Sequence, residues 1–240
     1  MGVITTKAIV LSSIKYGDSS LIVKCFTLEE GLKTYLVRGI LKASKSKIKA
    51  AYFQPLSQLK LEAKHNNKGA LNSIKEVHVL HPYKNIHSTI YKQTIVLFLS
   101  EMLNNTIQEE EKNEPLYTYL ETAFLWLDAH DDISNFHLIF LLNLTKFLGF
   151  YPDVSGKKEL HFNLSEGSFT NETYGKEIIS GDELFQLKKL LGIHFDTINS
   201  TSFNKRERQQ VLRIIIRYFE LHLDGFRNPK SLDILETVFS

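Results

Sequence analysis

Cysteine is nearly absent from this 240-residue chain, and Cys25 is the only one. A single thiol excludes an intramolecular disulfide and every multi-cysteine zinc or iron–sulfur site, and it fits a reducing compartment. Phosphate-binding loops are missing as well. Gly175-Lys176 runs into Glu177 and Gly156-Lys157 into Lys158, so no Walker-type GxxxxGK followed by Ser or Thr exists, and there is no GxGxxG. That excludes nucleotide hydrolysis on a P-loop. There is no GxSxG elbow and no HExxH. Long hydrophobic runs are also lacking. The most lipophilic stretch, 136–151, is interrupted by His137, Asn143 and Lys146. It falls short of the ~20 apolar residues of a membrane span and reads as a buried helix. Thr5, Thr6 and Lys7 break any apolar core of a secretory signal. No internal repeat or low-complexity segment is visible.

What is present is ordinary in amount and uneven in placement. Hydrophobic residues are 43% and charged residues 23%, the composition of a folded chain of one large or two small domains. The net charge of +2 divides sharply: residues 1–80 hold 13 Lys and Arg against 5 Asp and Glu, and the remainder is acidic. The first part reads as strands. Segments 3–14, 20–28, 32–38, 55–64 and 70–79 are β-branched or alternating and are separated by turn signals such as Tyr16-Gly17-Asp18 and Glu29-Glu30-Gly31. Three tightly joined strands, about sixteen residues with room for a short helix near Lys47–Phe53, and two more strands match the layout of an OB-fold barrel.

From residue 85 the period becomes helical. Helices are expected over 85–107, 116–129 and 133–149, the last apolar nearly all round and closed by Gly149 and Pro152. A hairpin is expected near 160–170. Ser180-Gly181-Asp182-Glu183 reads as a capping box opening a helix to about Leu191, and Asn204–Leu223 and Ser231–Phe239 complete the set. The expected fold class is therefore α+β, a barrel domain over 1–80 and a mostly helical domain over 81–240 with a hairpin insertion.

Side chains with catalytic potential have plain structural roles. Cys25 lies inside a strand, where it acts as a small apolar filler. Asp131-Asp132 and Asp182-Glu183 sit at helix starts, where they offset the helix dipole. His78, His81 and His87 have no acidic companion at ligand spacing. The basic residues form the strongest constellation. Arg38 closes the third strand, and Lys42, Lys45, Lys47 and Lys49 follow among small residues, with Lys33 just upstream. Such a loop suits a phosphate backbone, and lysines beside aromatics are how OB-folds hold single strands. Tyr35, Tyr52 and Phe53 are close in sequence, with core packing the alternative role for each. On the 204–223 helix, Arg206, Arg213 and Arg217 fall within about 40° of one another at 100° per residue. They face either an anionic partner or the apolar surface that their stems can cover.

Four segments together resemble the RecO family of bacterial recombination mediators. They are Tyr16–Val23 with Phe26-Thr27 and Gly31, Arg38-Gly39 through Lys47 to Gln54-Pro55, Leu148-Gly149-Phe150-Tyr151-Pro152-Asp153, and Arg213–Leu223 with Lys230-Ser231-Leu232. The resemblance implies an OB-fold followed by a helical domain and a non-enzymatic, nucleoid-associated cytoplasmic protein. It implies binding of single- and double-stranded DNA, annealing of complementary strands, capture of the acidic tail of single-strand-binding protein, and action with RecR to load RecA. On this reading Lys33, Arg38, Lys42, Lys45, Lys47 and Lys49 contact DNA, and Arg206, Arg213 and Arg217 contact DNA or the acidic tail. The alternatives are an adaptor that binds RecR without annealing, and a metal-dependent hydrolase built on scattered carboxylates. Many relatives carry a four-cysteine zinc site after the Gly-Phe-Tyr-Pro segment. Residues 153–176 hold no cysteine, so no zinc and no other cofactor is expected. The hairpin is expected to be held by Leu160, Phe162, Leu164 and Phe169.

Overall fold

Residues 3–42, 48–66, 71–200 and 202–239 are described by a computed structural model, with the backbone alone at 199 and 200. They group into two units, Met1–Ala129 and His130–Ser240.

The first unit begins with five strands: β1 (Val3–Tyr16), β2 (Ser20–Thr27), β3 (Gly31–Val37), β4 (Gln58–Lys64) and β5 (Ser73–Val79). They form one antiparallel sheet in the order β3-β2-β1-β4-β5. The sheet curls back on itself at Asn72, immediately before β5. The Leu36 amide donates to the Asn72 carbonyl at 2.9 Å and the Asn72 amide donates to Thr34 at 3.0 Å, a parallel bridge onto β3. Five strands closed in this way make the expected OB-type barrel. Period-two alternation fills it: Ala8 and Val10, Leu21, Val23 and Cys25, Tyr35 and Val37, and Leu59, Leu61 and Ala63 all point inward and are buried. Burial pushes the Cys25 thiol up, far from any thiolate nucleophile. Among the described residues of the connection between β3 and β4 there is a 3-10 turn, Ala50–Phe53, where a short helix is expected near Lys47–Phe53.

Gly31 opens β3 with φ +62°, and a Cβ there would lie 2.2 Å from the Glu111 carbonyl oxygen. The acidic segment after the first helix crosses this turn, and the Leu32 amide donates to Glu109 at 3.1 Å. Only glycine satisfies both the left-handed backbone and the close approach.

Two helices complete the unit, α1 (Ile90–Thr106) and α2 (Glu114–Ala129). They cover part of the outer sheet. Ile9 and Phe26, cross-strand partners of outward parity, are as buried as the core, and the Phe26 ring lies 6.2 Å from Tyr117 of α2. The helix expected from residue 85 starts instead at Ile90. The amides of Lys84, Asn85 and Ile86 are engaged by the Asp128 carboxylate at 2.7–3.0 Å, and the buried Lys92 ammonium donates to the Asp128 carbonyl at 3.0 Å.

The second unit is built on α3 (Phe136–Phe147), whose residues 136–145 are all buried, as an all-round apolar helix requires. Gly149, at φ +85°, ends it. A three-stranded sheet follows: β6 (His161–Asn163), β7 (Ser168–Thr170) and β8 (Ile178–Ser180), in the order β7-β6-β8. The expected hairpin is β6–β7, and β8 adds a strand on its other side. Phe162, Leu164 and Phe169 are buried, and the Phe162 and Phe169 rings meet edge-on at 5.0 Å. Leu160 departs from expectation. It is 72% exposed and takes no part in holding the hairpin, because it precedes the paired residues.

The helices α4 (Gly181–Leu190), α5 (Lys205–His222) and α6 (Leu232–Val238) close the unit. Ser180 precedes α4, but its side chain makes no capping bond, since its backbone is extended and paired with His161 in β8. The reciprocal capping box belongs to α5. Asn204 accepts from the Glu207 amide at 3.0 Å, and the Glu207 carboxylate accepts from the Asn204 amide at 2.8 Å. Phe150 ties α3 to α5: its carbonyl accepts from the Tyr218 hydroxyl at 2.8 Å, and its ring stacks on His222 at 5.2 Å.

Candidate nucleic-acid interface

The cationic residues of the barrel do not form one surface. Arg38 follows β3 directly and is exposed, as are Lys42 and Lys49, and none of the three makes an ion pair among the described residues. Lys42 is fixed near the barrel end by a turn in which its amide donates to Gly39 at 3.3 Å. One residue earlier, the Leu41 amide donates to Ser19 at 2.9 Å, so the start of the lysine loop rests on the β1–β2 turn. Lys45 and Lys47 lie outside the described residues.

Lys33 is placed differently. It pairs with Cys25 across β2 and β3, so it belongs to the inward row with Tyr35 and Val37. Its side chain is largely covered, and its ammonium lies 3.6 Å from Glu110 of the acidic segment. The aromatics next to the basic loop are core residues. Tyr35 and Phe53 are buried, and Tyr52 packs on the same cluster. The Tyr35 hydroxyl is hydrogen-bonded to His65 Nε2 at 2.8 Å, and His65 Nδ1 in turn contacts the Glu30 carboxylate. This chain of three side chains pins the start of the β4–β5 loop to the β2–β3 turn.

Two cations that the sequence reading passed over also mark this end. Lys15 is exposed near the tip of the β1–β2 hairpin. Lys24 lies on the outer face and donates to the Asn104 carbonyl of α1 at 3.2 Å, and partial burial lowers its pKa. Strand parity separates Lys24 from the inward-facing Lys33, whereas Lys15 pairs with Leu21 and shares the parity of Lys33.

The second unit brings Arg206, Arg213 and Arg217 to one cavity of about 490 Å³. Its walls come from α5, from Glu183 of α4 and from Leu164 and Ile179 of the small sheet, with Ile214 beneath. Arg213 makes a two-pronged pair with Glu236 at 3.0 and 3.1 Å. Arg217 is held between Glu177 and Glu220, and those bonds raise its pKa. Arg206 has no ion-pair partner among the described residues. The cavity is thus lined by one arginine without an ion pair among the described residues, two arginines already paired with carboxylates, Glu183 and aliphatic side chains. Gln209 and Gln210 complete it. Their positions at helical spacing from Arg206 and Arg213 were the signal available in the sequence.

No group of three or more His, Cys, Asp or Glu side chains among the described residues is arranged to hold a metal ion. His78 is exposed, His81 lies 3.7 Å from Glu121, and burial lowers the pKa of His87. No helix among the described residues is long and apolar enough to cross a membrane.

Comparison with known proteins identifies the family. Residues 1–83 match the family model described as Recombination protein O N terminal, and residues 87–233 match Recombination protein O C terminal. The chain belongs to the RecO family. It is 55% identical to the DNA repair protein RecO of Flavobacterium johnsoniae over 237 residues, covering 99% of each chain. It is 51% identical to that of Flavobacterium psychrophilum with the same coverage, and 45% identical to that of Christiangramia forsetii over 98% of this chain and 99% of the relative. A RecO-family chain is a recombination protein and not an enzyme. The exposed cations at the barrel end and the cavity on α5 are therefore candidate binding surfaces of a RecO-family protein.

Proposed function

We propose that this chain is a DNA-binding recombination mediator that anneals complementary single strands and, with RecR and single-strand-binding protein, promotes RecA loading during repair in the bacterial cytoplasm. The observation that carries the reading is the set of exposed cations Arg38, Lys42 and Lys49, none in an ion pair among the described residues, in a chain of this family. Annealing requires two polyanions to approach, and fixed positive charge lowers that repulsion. Lys45 and Lys47 extend the same basic run in sequence. Lys33, already facing Glu110, contributes least.

The α5 cavity supports the partner half of the proposal. Arg206, with Arg213 and Arg217 beside aliphatic Leu164, Ile179 and Ile214, suits an acidic peptide, the class to which the expected single-strand-binding protein tail belongs. This feature also keeps the adaptor reading in play, in which docking operates without annealing.

The decisive experiment is annealing of complementary oligonucleotides coated with their cognate single-strand-binding protein, followed by fluorescence transfer without nucleotide. Stimulation is expected. Contact with about four phosphates gives a log K against log salt slope near −3 for a single strand, and replacing Arg38, Lys42 and Lys49 together by Ala reduces that slope by about 2. Strong DNA binding without stimulated annealing would select the adaptor.

A further inference from the structure

We propose that the open outer face of β1, β2 and β3, with Tyr16 at its tip, is a platform on which bases of a single-stranded nucleic acid stack. The proposal rests on the DNA-binding reading above and adds the side chains that touch bases where the lysines touch phosphates.

The register defines the face. Ile14 pairs with Ile22, and Ile22 pairs with Leu36, so three aliphatic side chains stand in one row across three strands. Tyr16 pairs with Ser20 one step closer to the tip. Leu21, Val23, Tyr35 and Val37, of the opposite parity, fill the barrel, so the row faces outward. Farther back on this face the helices cover Ile9 and Phe26 completely, and the cover ends at Lys24, whose ammonium bonds to the last turn of α1. Beyond Lys24 the row is more open among the described residues. Ile14 is 63% exposed and Tyr16 is 55% exposed, with Ile22 and Leu36 half-buried between them.

Charge identifies the occupant. Arg38 follows the strand that carries Leu36. Lys42 sits on the loop that the Leu41–Ser19 hydrogen bond holds against the hairpin, and it is exposed. Asp18 is the single acid in that turn. An apolar strip ending in an exposed phenol ring and flanked by cations fits a strand whose phosphates reach Arg38 and Lys42 while its unstacked bases lie on Tyr16 and the isoleucines. Duplex DNA hides the base faces, so the strip distinguishes single strands from duplex.

The test uses the full chain and its Tyr16→Ala and Tyr16→Phe variants. Each is titrated by anisotropy against a labelled oligothymidylate, an abasic strand of equal length and a duplex, over a salt series. Tyr16→Ala is expected to lose roughly tenfold in affinity for the oligothymidylate, the loss of one stacked base. Its affinities for the abasic strand and the duplex stay within about twofold, its salt slope is unchanged, and Tyr16→Phe behaves as wild type. Equal affinity of Tyr16→Ala and wild type for the oligothymidylate overturns the platform, and so does an equal loss on the abasic strand. Loss of an acidic-peptide interaction with unchanged DNA affinity assigns the face to a protein and also overturns it. Absence of any salt-dependent DNA binding by wild type overturns the underlying DNA reading, a result distinct from the others.

Discussion

Replacing Asp128 by Ala removes a side chain that accepts from three consecutive amides. Its Oδ1 takes the Asn85 and Ile86 amides, each at 2.7 Å, and its Oδ2 takes the Lys84 amide at 3.0 Å. Hydrogen bonds to a charged acceptor contribute about 1.5–3 kcal/mol each in buried settings. The site is partly open to solvent, and water replaces some of what is lost, so the expected destabilisation is about 2–4 kcal/mol in total. Asp128→Asn keeps an oxygen for Asn85 and Ile86 but turns an amide group toward Lys84, so it loses less. Burial raises the Asp128 pKa, but the three amides and then Lys92 outweigh that effect, and the folded value lies below the ordinary carboxylate range. The stability this group provides is therefore present above the unfolded pKa of about 3.9 and is lost as pH falls through the lower folded value. Trp126, the sole tryptophan, lies two residues away in α2 and reports unfolding of this unit. Urea titrations followed by its fluorescence from pH 3 to 7 give the midpoints. Amide exchange at residues 84–86 gives the local opening. The reasoning fails if Asp128→Ala lies within about 0.5 kcal/mol of wild type. It fails equally if Asp128→Asn leaves the acid limb of the stability curve unchanged.

Two further outcomes are expected. Gly31→Ala places a Cβ 2.2 Å from the Glu111 carbonyl oxygen at a left-handed backbone position, so thermal unfolding of the first unit should fall by about 2 kcal/mol or more; an unchanged melting temperature would refute the strap over this turn. Arg206→Glu should reduce affinity for an acidic peptide ending in apolar residues by about tenfold or more, because it reverses the cavity's one unpaired cation. Arg213→Ala should reduce it less, since that guanidinium already serves Glu236; calorimetric titration separates the two, and equal effects would count against the arrangement.

Where sequence pattern and structure agree, a single element carried the pattern. The inward residues of β4, Leu59, Leu61 and Ala63, alternate without interruption, and α3 is apolar on every side, so neither needed knowledge of a neighbour. The three arginines of α5 share a face by helical geometry alone, and the structure brings them to one cavity. What escaped was set by groups distant in sequence. The segment ahead of α1 is held by a carboxylate more than forty residues away. Ser180 and Asn204 each stand three residues before a Glu. Only Asn204 caps, because Ser180 is committed to β8, a strand of three residues too short to show a period. Lys33 was legible in principle. It shares parity with Tyr35 and Val37, which alternation along β3 alone assigns to the inward row. Tyr16 and Ile14 read as the end of a strand and a turn signal. Their exposure depends on where the helices stop, and no local pattern carries that.

The crossing of Gly31 by residues 109–111 has a consequence for how the chain is made. The β2–β3 turn leaves the ribosome about eighty residues ahead of the segment that packs on it. At ordinary rates of synthesis that interval is about 4–16 s. Ile9 and Phe26 wait as long for the helices that cover them. During that time the nascent barrel carries an uncovered apolar flank beside a glycine turn not yet strapped down. Its completion is therefore timed by α1 and α2, and the newborn chain passes through a stage at which a holding chaperone has a defined surface to grip.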